Sequence, residues 1–275
     1  MYKILTKEQY SENVFRLEIE APRIAQHRKA GHFVIVKVGE HGERIPLTIV
    51  NSNSERGSID LIIQRVGVSS DKLVSLSEGD FIDDVVGPLG HPTHIENYGT
   101  ILAAGGGVGL APMLPIIKAL KEAGNKIITV LAARTKHLVI LEKQIREISD
   151  EVLIMTNDGS YGDKGLITDG IEKIINQQNI NLTLTIGPAV MMRAVAELTR
   201  KHSIPTLASL NTIMVDGTGM CGACRISIGG ETKFVCVDGP EFDAHQVNFD
   251  EMISRLGAYR DMETEAFTQR QQCHD

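Results

Sequence analysis

The stretch Ala103-Ala104-Gly105-Gly106-Gly107-Val108-Gly109-Leu110-Ala111-Pro112 joins a buried-strand pattern at 100–104 to a helical pattern at 110–123. Glycines in such a turn let the backbone approach a pyrophosphate, which the free N–H groups of the helix N-terminus then stabilise. A glycine-rich turn can also serve tight packing alone, but its place between a strand and a helix favours dinucleotide binding. The candidate binding residues are Gly105, Gly106, Gly107, Gly109, Ala111 and Pro112.

Strand-like and helical runs alternate on the C-terminal side of this turn. Apolar strand patterns at 127–132, 152–155 and 182–186 alternate with helical patterns at 138–148, 167–176 and 190–202. Such alternation with short connections predicts a parallel sheet that helices cover on both faces. We therefore expect an α/β domain at 96–210.

Two further turns follow strands of the predicted sheet. Asn157-Asp158-Gly159-Ser160 follows the third strand, and Gly187-Pro188-Ala189-Val190-Met191-Met192 follows the fourth. Ligands of open parallel sheets lie beyond the carboxyl ends of the strands, so Asp158 and the second turn are candidate contacts of a dinucleotide. Asp-Gly and Gly-Pro are also ordinary turn signals. The choice between NAD and NADP stays open, because Arg134 and Lys136 could accept a 2′-phosphate or could be solvated charges.

The N-terminal third of the chain is β-rich, with strand-like runs at 14–19, 32–38, 45–50 and 59–64. Several short strands at close spacing predict a small barrel or sandwich. Arg44-Ile45-Pro46-Leu47-Thr48 begins one of these strands. An arginine fork can hold a pyrophosphate through two hydrogen bonds, and a hydroxyl four residues on can hydrogen-bond a ring nitrogen. A strand edge with a surface arginine is the alternative.

Two segments after that strand strengthen the hypothesis of a bound flavin. Gln64-Arg65-Val66-Gly67-Val68-Ser69-Ser70-Asp71-Lys72-Leu73 leads from a strand into a helix start, where free N–H groups favour a phosphate. Ser70 could instead cap that helix without any ligand. Gly87-Pro88-Leu89-Gly90-His91-Pro92 predicts a rigid turn before the second domain.

Most of the cysteines lie together near the C-terminal end. The stretch 216–224 reads Asp-Gly-Thr-Gly-Met-Cys-Gly-Ala-Cys, and Cys236 follows after eleven residues. This spacing is typical of metal ligands, and the glycines allow the loop to fold tightly over an inorganic centre. With Asp216 as the fourth ligand beside Cys221, Cys224 and Cys236, the loop would bind a [2Fe–2S] cluster. Zinc and plain structural cysteines are the alternatives. Asp216 could also only cap the loop through the amides of its glycines, which would leave Cys273 as a candidate ligand.

Together these motifs resemble the ferredoxin-NADP reductase superfamily. Its R-x-[YP]-x-[ST] strand, phosphate loop and G-P-x-G turn belong to an FAD-binding barrel, and its G-G-x-G-x-[AT]-P turn belongs to a nicotinamide-binding domain. The resemblance implies that Arg44 holds the FAD pyrophosphate, that Thr48 lies near the redox-active N5 of the flavin, and that Ser70 contacts phosphate. The other implied contacts are with the flavin at Pro46, Leu47, Ile63, Gln64 and Val66, and with the nicotinamide at Gly187, Pro188 and Met191.

The order of the parts resembles two kinds of electron-transfer subunit in this superfamily. One belongs to dihydroorotate dehydrogenase, and the other is the small subunit of NADH-dependent reduced ferredoxin:NADP oxidoreductase. The first kind has cysteine at the place of Asp216, and the second has aspartate. The second resemblance implies a heterodimer with a larger flavoprotein that carries another FAD and [4Fe–4S] clusters, in a complex that couples NADH, NADPH and ferredoxin by electron bifurcation. A redox-sensing regulator without enzyme activity is the alternative from another class.

The composition excludes some other functions. The chain of 275 residues has a formal net charge of −7, which argues against a general binder of nucleic acid or anionic membranes. It has no apolar run of membrane-spanning length and no apolar signal core at the N-terminus, so we expect a cytoplasmic protein. We expect an FAD-binding barrel at 1–95, the NAD(P)-binding α/β domain at 96–210, and the [2Fe–2S] loop with a C-terminal tail at 211–275.

Overall fold

The computed structural model describes residues 1–272, and its N-terminal part is a seven-stranded antiparallel sheet. The strands are β1 (Tyr2–Ser11), β2 (Val14–Glu20), β3 (Phe33–Lys37), β4 (Arg44–Asn53), β5 (Ser58–Gln64), β6 (Phe81–Ile82) and β7 (Asp84–Leu89). Their order is β6-β1-β2-β5-β4-β3-β7, and every neighbouring pair is antiparallel. This nearly closed sheet confirms the predicted barrel, which also carries helices α1 (Pro22–His27) and α2 (Val68–Ser75).

Two features of the barrel differ from the sequence-based expectation. Strand β1 was not predicted, because Ile4 is its fully buried residue and the rest of the strand is polar or partly exposed. The segment Gly87-Pro88-Leu89 is not a turn, since it forms the end of β7 and pairs Leu89 with Phe33 of β3. The predicted rigid turn over 87–92 is therefore wrong at 87–89, and the chain bends only after the strand, at Gly90.

The pairing of β3 with β4 decides which side chains face outward. Directly opposed residues of an antiparallel pair lie on the same face of the sheet. Phe33 pairs with Thr48, Ile35 with Pro46, and Lys37 with Arg44. The intervening residues, Val34, Val36, Ile45 and Leu47, pack in or against the core of the barrel. The first set of pairs therefore lies on the outer face.

The middle of the chain forms a second sheet with helices on both faces. Its strands are β8 (Thr100–Gly106), β9 (Lys126–Ala133), β10 (Glu151–Thr156), β11 (Asp163–Lys164), β12 (Leu182–Ile186) and β13 (Thr206–Ser209). They are parallel in the order β11-β10-β9-β8-β12-β13. Helices α3 (Leu110–Glu122) and α4 (Glu142–Ile148) contribute to a core on one face, and α5 (Ile167–Ile175) and α6 (Ala189–Lys201) to a core on the other. The predicted parallel α/β architecture is confirmed.

The C-terminal part pairs with the edge of this second sheet. It contains the hairpin β14 (Arg225–Ile228) and β15 (Glu231–Phe234), then α7 (Val235–Asp238), β16 (Glu241–Asp243), α8 (Phe249–Leu256) and α9 (Arg260–Gln272). Strand β16 pairs antiparallel with β13 and so becomes an edge strand of the second sheet. Helix α8 is capped by Asn248, whose side chain accepts the Glu251 N–H. Cys273 lies outside the described residues.

A common hydrophobic core connects the barrel, the second sheet and the C-terminal part. It combines Phe33 and Ile35 from the outer face of β3 with apolar residues of α6 and of the cysteine-containing region. The other members include Ala189, Met192, Ala196, Met214, Cys224, Ile226, Val235, Cys236 and Phe249. Because these side chains are buried against one another, the relative positions of the parts are fixed by packing. Within residues 1–272, no helix combines the length and the apolar character needed to cross a membrane.

Candidate functional site

The outer face of β4 presents the residues expected to contact a flavin. Arg44, Pro46 and Thr48 alternate along this face, and each is partly exposed. The Nη2 atom of Arg44 lies 2.8 Å from Asp84 Oδ2, and the two side chains are 35% and 38% exposed. An ion pair this exposed contributes little stability, but it orients the Arg44 guanidinium. The other N–H groups of Arg44 can still bind a phosphate.

Other predicted flavin contacts differ in the direction of their side chains. Leu47 and Ile63 pack against or within the core of the barrel, so only their main chains can reach a cofactor outside it. Gln64 pairs with Val14 at the end of β5 and is partly exposed. Val66 follows that strand and is 68% exposed, so its side chain is accessible to a flavin at this surface.

Ser70 caps the start of α2. Its Oγ accepts the N–H groups of Val66 and Gly67 at 3.0 Å each and donates to Gly67 O at 2.9 Å. The hydroxyl is therefore engaged locally, as the capping alternative predicts. The neighbouring Ser69 donates to Glu43 Oε2 at 2.5 Å, which brings the start of α2 beside the residue that precedes Arg44. The two segments expected to contact FAD phosphates thus lie together.

The glycine-rich turn has an open side and a packed side. Gly107 has φ +57°, and no heavy atom of residues 1–272 lies within 4 Å of where its Cβ would be. A Cβ on Gly105 would lie 2.6 Å from Leu110 Cδ2, and one on Gly109 would lie 2.5 Å from Ile186 O. Packing against backbone therefore requires glycine at 109, whereas a Cβ at 105 would displace the ends of the Leu110 and Met113 side chains. Gly107 leaves space for a ligand to approach the backbone. This geometry fits a dinucleotide pyrophosphate at the start of α3.

The turn after β12 contacts the glycine-rich turn directly. A Cβ on Gly187 would lie 3.1 Å from Gly106 O, and one on Gly106 would lie 2.6 Å from Met191 Sδ. Pro188 precedes α6, and its carbonyl accepts the Met191 N–H at 2.9 Å. The residues predicted from these two separate motifs are therefore neighbours. Ala111 is buried in the first turn of α3, and Pro112 beside it is partly exposed.

Asp158 organises the turn after β10. Its Oδ1 accepts the Ser160 N–H at 3.0 Å and the Ser160 hydroxyl at 2.7 Å, and these hydrogen bonds lower the pKa of the Asp158 carboxyl. The Ser160 Oγ also accepts the Lys136 N–H at 2.8 Å, so this turn is held beside the end of β9. Asp158 has a structural partner in its own turn, and its contact with a dinucleotide stays a prediction.

The four predicted cluster ligands belong to one loop region, but their donor atoms do not all converge. Asp216 accepts the N–H groups of Thr218 and Cys221 at 2.8 Å each, and these bonds lower the pKa of its carboxyl. The capping alternative is right about this contact, although the donors are not the predicted glycine amides. Cys221 is exposed, and within residues 1–272 no three His, Cys, Asp or Glu side chains form a metal-binding group.

The two buried thiols face each other. Cys224 Sγ and Cys236 Sγ are 3.2 Å apart, and burial raises the pKa of the Cys236 thiol to about 12. An apolar site in which two thiols meet is costly for thiolates unless a cation compensates their charge. Coordination to iron provides this compensation and deprotonates the thiols. The donor set of three cysteines and one aspartate therefore fits the chemistry of an iron–sulfur cluster.

Gly217 brings the cysteine-containing loop against the wall of the barrel. It has φ +76°, and a Cβ would lie 2.9 Å from Ile35 Cγ1 and 2.6 Å from Leu89 Cδ1. Ile35 pairs with Pro46 of β4, so the loop touches the strand beside the one that carries the flavin residues. The candidate flavin and cluster sites therefore adjoin the same outer face of the barrel.

Sequence reasoning missed Glu241. Its Oε1 accepts a hydrogen bond from Thr93 Oγ1 at 2.6 Å, and burial raises the pKa of the Glu241 carboxyl to about 7. Glu241 follows Gly239-Pro240, a turn signal that could have marked the start of β16. The identity of its partner had no local signal, because Thr93 is 148 residues away in the chain.

Comparisons with known proteins identify the families to which parts of this chain are similar. Residues 1–94 match the oxidoreductase FAD-binding domain family, and residues 211–248 match the iron–sulfur cluster binding domain of dihydroorotate dehydrogenase B. A Thermotoga maritima protein described as a homologue of the dihydroorotate dehydrogenase B electron transfer subunit is 47% identical over 95% of this chain and 92% of its own length. The chain belongs to this family of electron-transfer subunits.

Two further relatives extend the likeness. A probable dihydroorotate dehydrogenase B electron transfer subunit of Methanocaldococcus jannaschii is 35% identical over 72% of this chain and 74% of its own length. A solved chain from the structure of NADH-dependent reduced ferredoxin-NADP oxidoreductase is 44% identical, has a TM-score of 0.92, and is matched over 98% of this chain and 97% of its own. The electron-transfer subunit described here therefore has the predicted ferredoxin-NADP reductase-like fold, with an FAD-binding domain and an iron–sulfur domain.

Proposed function

We propose that this subunit takes a hydride from NADH or NADPH and delivers the electrons singly through a [2Fe–2S] cluster to a larger partner. The proposal rests on the pairing of β3 with β4. Arg44, Pro46 and Thr48 occupy one face of β4, and Ile35 on the adjacent strand packs against the loop that holds the cysteines. Neighbouring strands are about 4.8 Å apart, so this arrangement supports a short path between flavin and cluster.

Bound FAD supplies the chemistry, since a flavin accepts the electron pair of a hydride and can release electrons one at a time. The residues of this chain bind and orient. We assign Arg44 to the FAD pyrophosphate and the Thr48 hydroxyl to the edge of the flavin ring near N5. Hydride transfer depends mainly on stacking and orientation, so no side chain here needs to act as a general acid or base. In this sense Thr48 is the residue we place nearest to the reacting atoms.

The nicotinamide dinucleotide would approach from the carboxyl ends of β8 and β12. Gly107 is open, and the N-terminus of α3 follows it without a side-chain cap. The barrel residues Val14 and Ile62 belong to the same core as α3, so the nucleotide turn and the barrel are held together. This packing supports a nicotinamide at the flavin, with Gly187, Pro188 and Met191 at its side.

The metal ligands in this proposal are Asp216, Cys221, Cys224 and Cys236. The carboxylate of Asp216 already points at the Cys221 N–H, and Cys224 and Cys236 face each other. Forming the cluster would require Asp216 and Cys221 to direct their side chains toward the two buried sulfurs. Three thiolates with one carboxylate retain the negative charge that the ferric ions require.

The likeness to two kinds of subunit gives two candidate complexes. We favour a heterodimer of the bifurcating ferredoxin:NADP oxidoreductase type, whose partner would carry a second FAD and [4Fe–4S] clusters and would use ferredoxin. The aspartate at 216 in place of a fourth cysteine favours this choice. The alternative is the electron-transfer subunit of a dihydroorotate dehydrogenase, which the names of several relatives favour.

An anaerobic titration of the purified holoprotein with NADH or NADPH tests the electron path. We expect the visible flavin absorption to bleach and the EPR signal of a reduced [2Fe–2S] cluster to appear. In the Cys224→Ser protein the flavin should still bleach, but the cluster signal should be absent. A holoprotein whose flavin absorbs normally but resists both nucleotides would contradict the proposal.

Purification of the complex from the native host tests the partner. Mass spectrometry should identify a large flavoprotein, and the purified complex should reduce NADP with NADH and reduced ferredoxin together. Recovery of a partner that oxidises dihydroorotate would overturn the first assignment in favour of the second.

A further inference from the structure

The C-terminal helix α9 returns to the barrel and contacts α2. Arg270 Nε lies 2.5 Å from Asp71 Oδ2, and the two side chains are 20% and 17% exposed. Asp71 belongs to the first turn of α2, and this turn is part of the segment 64–73 that we place near the FAD phosphates. Helix α9 is therefore joined to the start of α2, beside the proposed flavin site.

Apolar packing contributes little to the position of α9. Helix α9 lies wholly within the described part of the chain, and none of its residues is buried. Met262, for example, is 68% exposed. Phe267 is partly exposed and lies three residues before Arg270, so the two share a face of the helix. A helix of this length without a buried face is marginal in water. The Arg270–Asp71 pair is therefore a main contact that holds it.

Asp71 connects α9 to the flavin loop through a second arginine. Its other carboxylate oxygen, Oδ1, lies 3.7 Å from Arg65 Nε, and the Arg65 side chain is 39% exposed. Arg65 stands between Gln64 and Val66, which are both candidate flavin contacts. One carboxylate thus lies between Arg270 of α9 and Arg65 of the loop.

We propose that α9 is a strap that fixes the FAD phosphate loop, with Arg270 as a positioning residue that acts through Asp71. Arg270 neutralises Asp71 and holds the first turn of α2 in place. Without Arg270, Asp71 would have only the more distant Arg65 as a counter-charge, so it would place more negative charge near the phosphates and would draw Arg65 toward itself. Both effects weaken FAD binding, since an anion near a phosphate is repelled and a mobile loop must be ordered when FAD binds.

This proposal rests on the proposed placement of FAD beside Arg44 and residues 64–70. The experiments distinguish a failure of that placement from a failure of the role given to α9. Dissociation of FAD from full-length holoprotein on dilution can be followed by the recovery of flavin fluorescence. We expect Arg270→Ala to raise the dissociation constant of FAD about fivefold or more, and Arg270→Lys to restore part of the affinity. Arg260→Ala, at the exposed start of the same helix, is the matched control and should leave the constant unchanged.

A double-mutant cycle shows whether Arg270 acts through Asp71. If it does, adding Arg270→Ala to Asp71→Asn should change the dissociation constant much less than Arg270→Ala does alone. Coupling between binding events is reciprocal, so FAD should stabilise the docked helix by the same factor. Hydrogen exchange at 260–272 should accordingly be slower in the FAD-bound protein than in the flavin-free protein.

Two results would overturn the strap. One is an Arg270→Ala protein that has lost thermal stability but binds FAD with unchanged affinity. The other is identical hydrogen exchange at 260–272 with and without FAD. Arg44→Met distinguishes a failure of the placement itself: if this change also leaves FAD affinity unaltered, the flavin site is elsewhere, and if it weakens binding, only the role of α9 is rejected.

Discussion

Thr93 and Glu241 join segments that are 148 residues apart, because the Thr93 hydroxyl donates a 2.6 Å hydrogen bond to Glu241 Oε1. Thr93 lies between the barrel and the second sheet, and Glu241 begins β16. Both side chains lie against Gly31 of the barrel, where a Cβ would be 2.6 Å from Thr93 Oγ1 and 3.4 Å from Glu241 Oε1. The bond therefore sits at a junction between the parts of the protein.

The raised pKa of Glu241 predicts that this junction weakens as pH rises. The carboxyl has a pKa of about 7 in the folded protein against 4.5 for an unperturbed glutamate. The folded state therefore binds more protons than the unfolded state between these values, and stability falls as pH rises through this window. Glu241 keeps some exposed surface, which reduces the effect of the pKa shift on stability. We therefore expect the free energy of unfolding to fall by about 2 kcal/mol between pH 4.5 and 8.

Urea unfolding of Glu241→Gln checks this pH effect. The stability of the variant relative to the unchanged protein should rise from pH 5 to pH 8, since glutamine stays neutral. Glu263→Gln, at an exposed position of α9, should show no such trend. A constant difference across the pH range would refute the assignment.

Gly217→Ala should disturb the contact between the cysteine-containing loop and the barrel. A Cβ there meets Leu89 and Ile35 at 2.6 and 2.9 Å, and φ is +76°. Gly230→Ala is the matched control, because Gly230 has φ +86° but no atom of the described residues lies within 4 Å of its Cβ position. We expect the control to cost about 1 kcal/mol and Gly217→Ala about 3 kcal/mol in the free energy of unfolding. Equal losses would show that the contact with the barrel is unimportant.

Asp216→Ala should lower the iron content of the purified protein. The alanine removes the proposed oxygen ligand as well as the hydrogen bonds to Thr218 and Cys221. Asp216→Cys should retain the iron, because a thiolate can replace the carboxylate, and should shift the cluster potential. Iron analysis and EPR measure both effects. A fully loaded, unchanged cluster in the alanine variant would remove Asp216 from the ligand set.

Gly107 and Gly109 should respond differently to alanine. Gly107→Ala has free space but φ +57°, so we expect a stability loss of about 1 kcal/mol. Its methyl group would face the pyrophosphate and should raise KM for the dinucleotide about tenfold, equivalent to about 1.4 kcal/mol. Gly109→Ala would place a Cβ 2.5 Å from Ile186 O and should mainly lower stability. Steady-state kinetics and thermal unfolding separate the two, and an unchanged KM in Gly107→Ala would argue against a nucleotide at this turn.

The sequence was most informative where the chemistry is local. The turn at 105–109 could be predicted because close backbone approach and positive φ require glycine at particular positions. The parallel order of the second sheet could be predicted from the alternation of strands and helices. The segment at 44–48 was placed correctly on a strand, since its β pattern does not depend on distant residues.

Other features depend on packing between distant parts of the chain. Leu47 and Thr48 point to opposite faces because side chains alternate along a strand. Which of the two faces is the outer one depends on how β4 packs in the barrel, and a local pattern does not give this. The hydrogen bond of Glu241 and the docking of α9 involve partners far along the chain, for which no local pattern exists. Ser70 shows a different limit, because a helix cap and a phosphate contact require the same residue at the same place.

The packing of Phe33 and Ile35 with α6 and the cysteine-containing region has an evolutionary consequence. A chimera that exchanges the barrel between relatives must carry matching residues on β3, or the recombinant would expose apolar surface and leave voids at the seam. Diversification of these reductases by shuffling whole modules is therefore constrained at the outer face of β3, directly beside the strand that carries the proposed flavin residues.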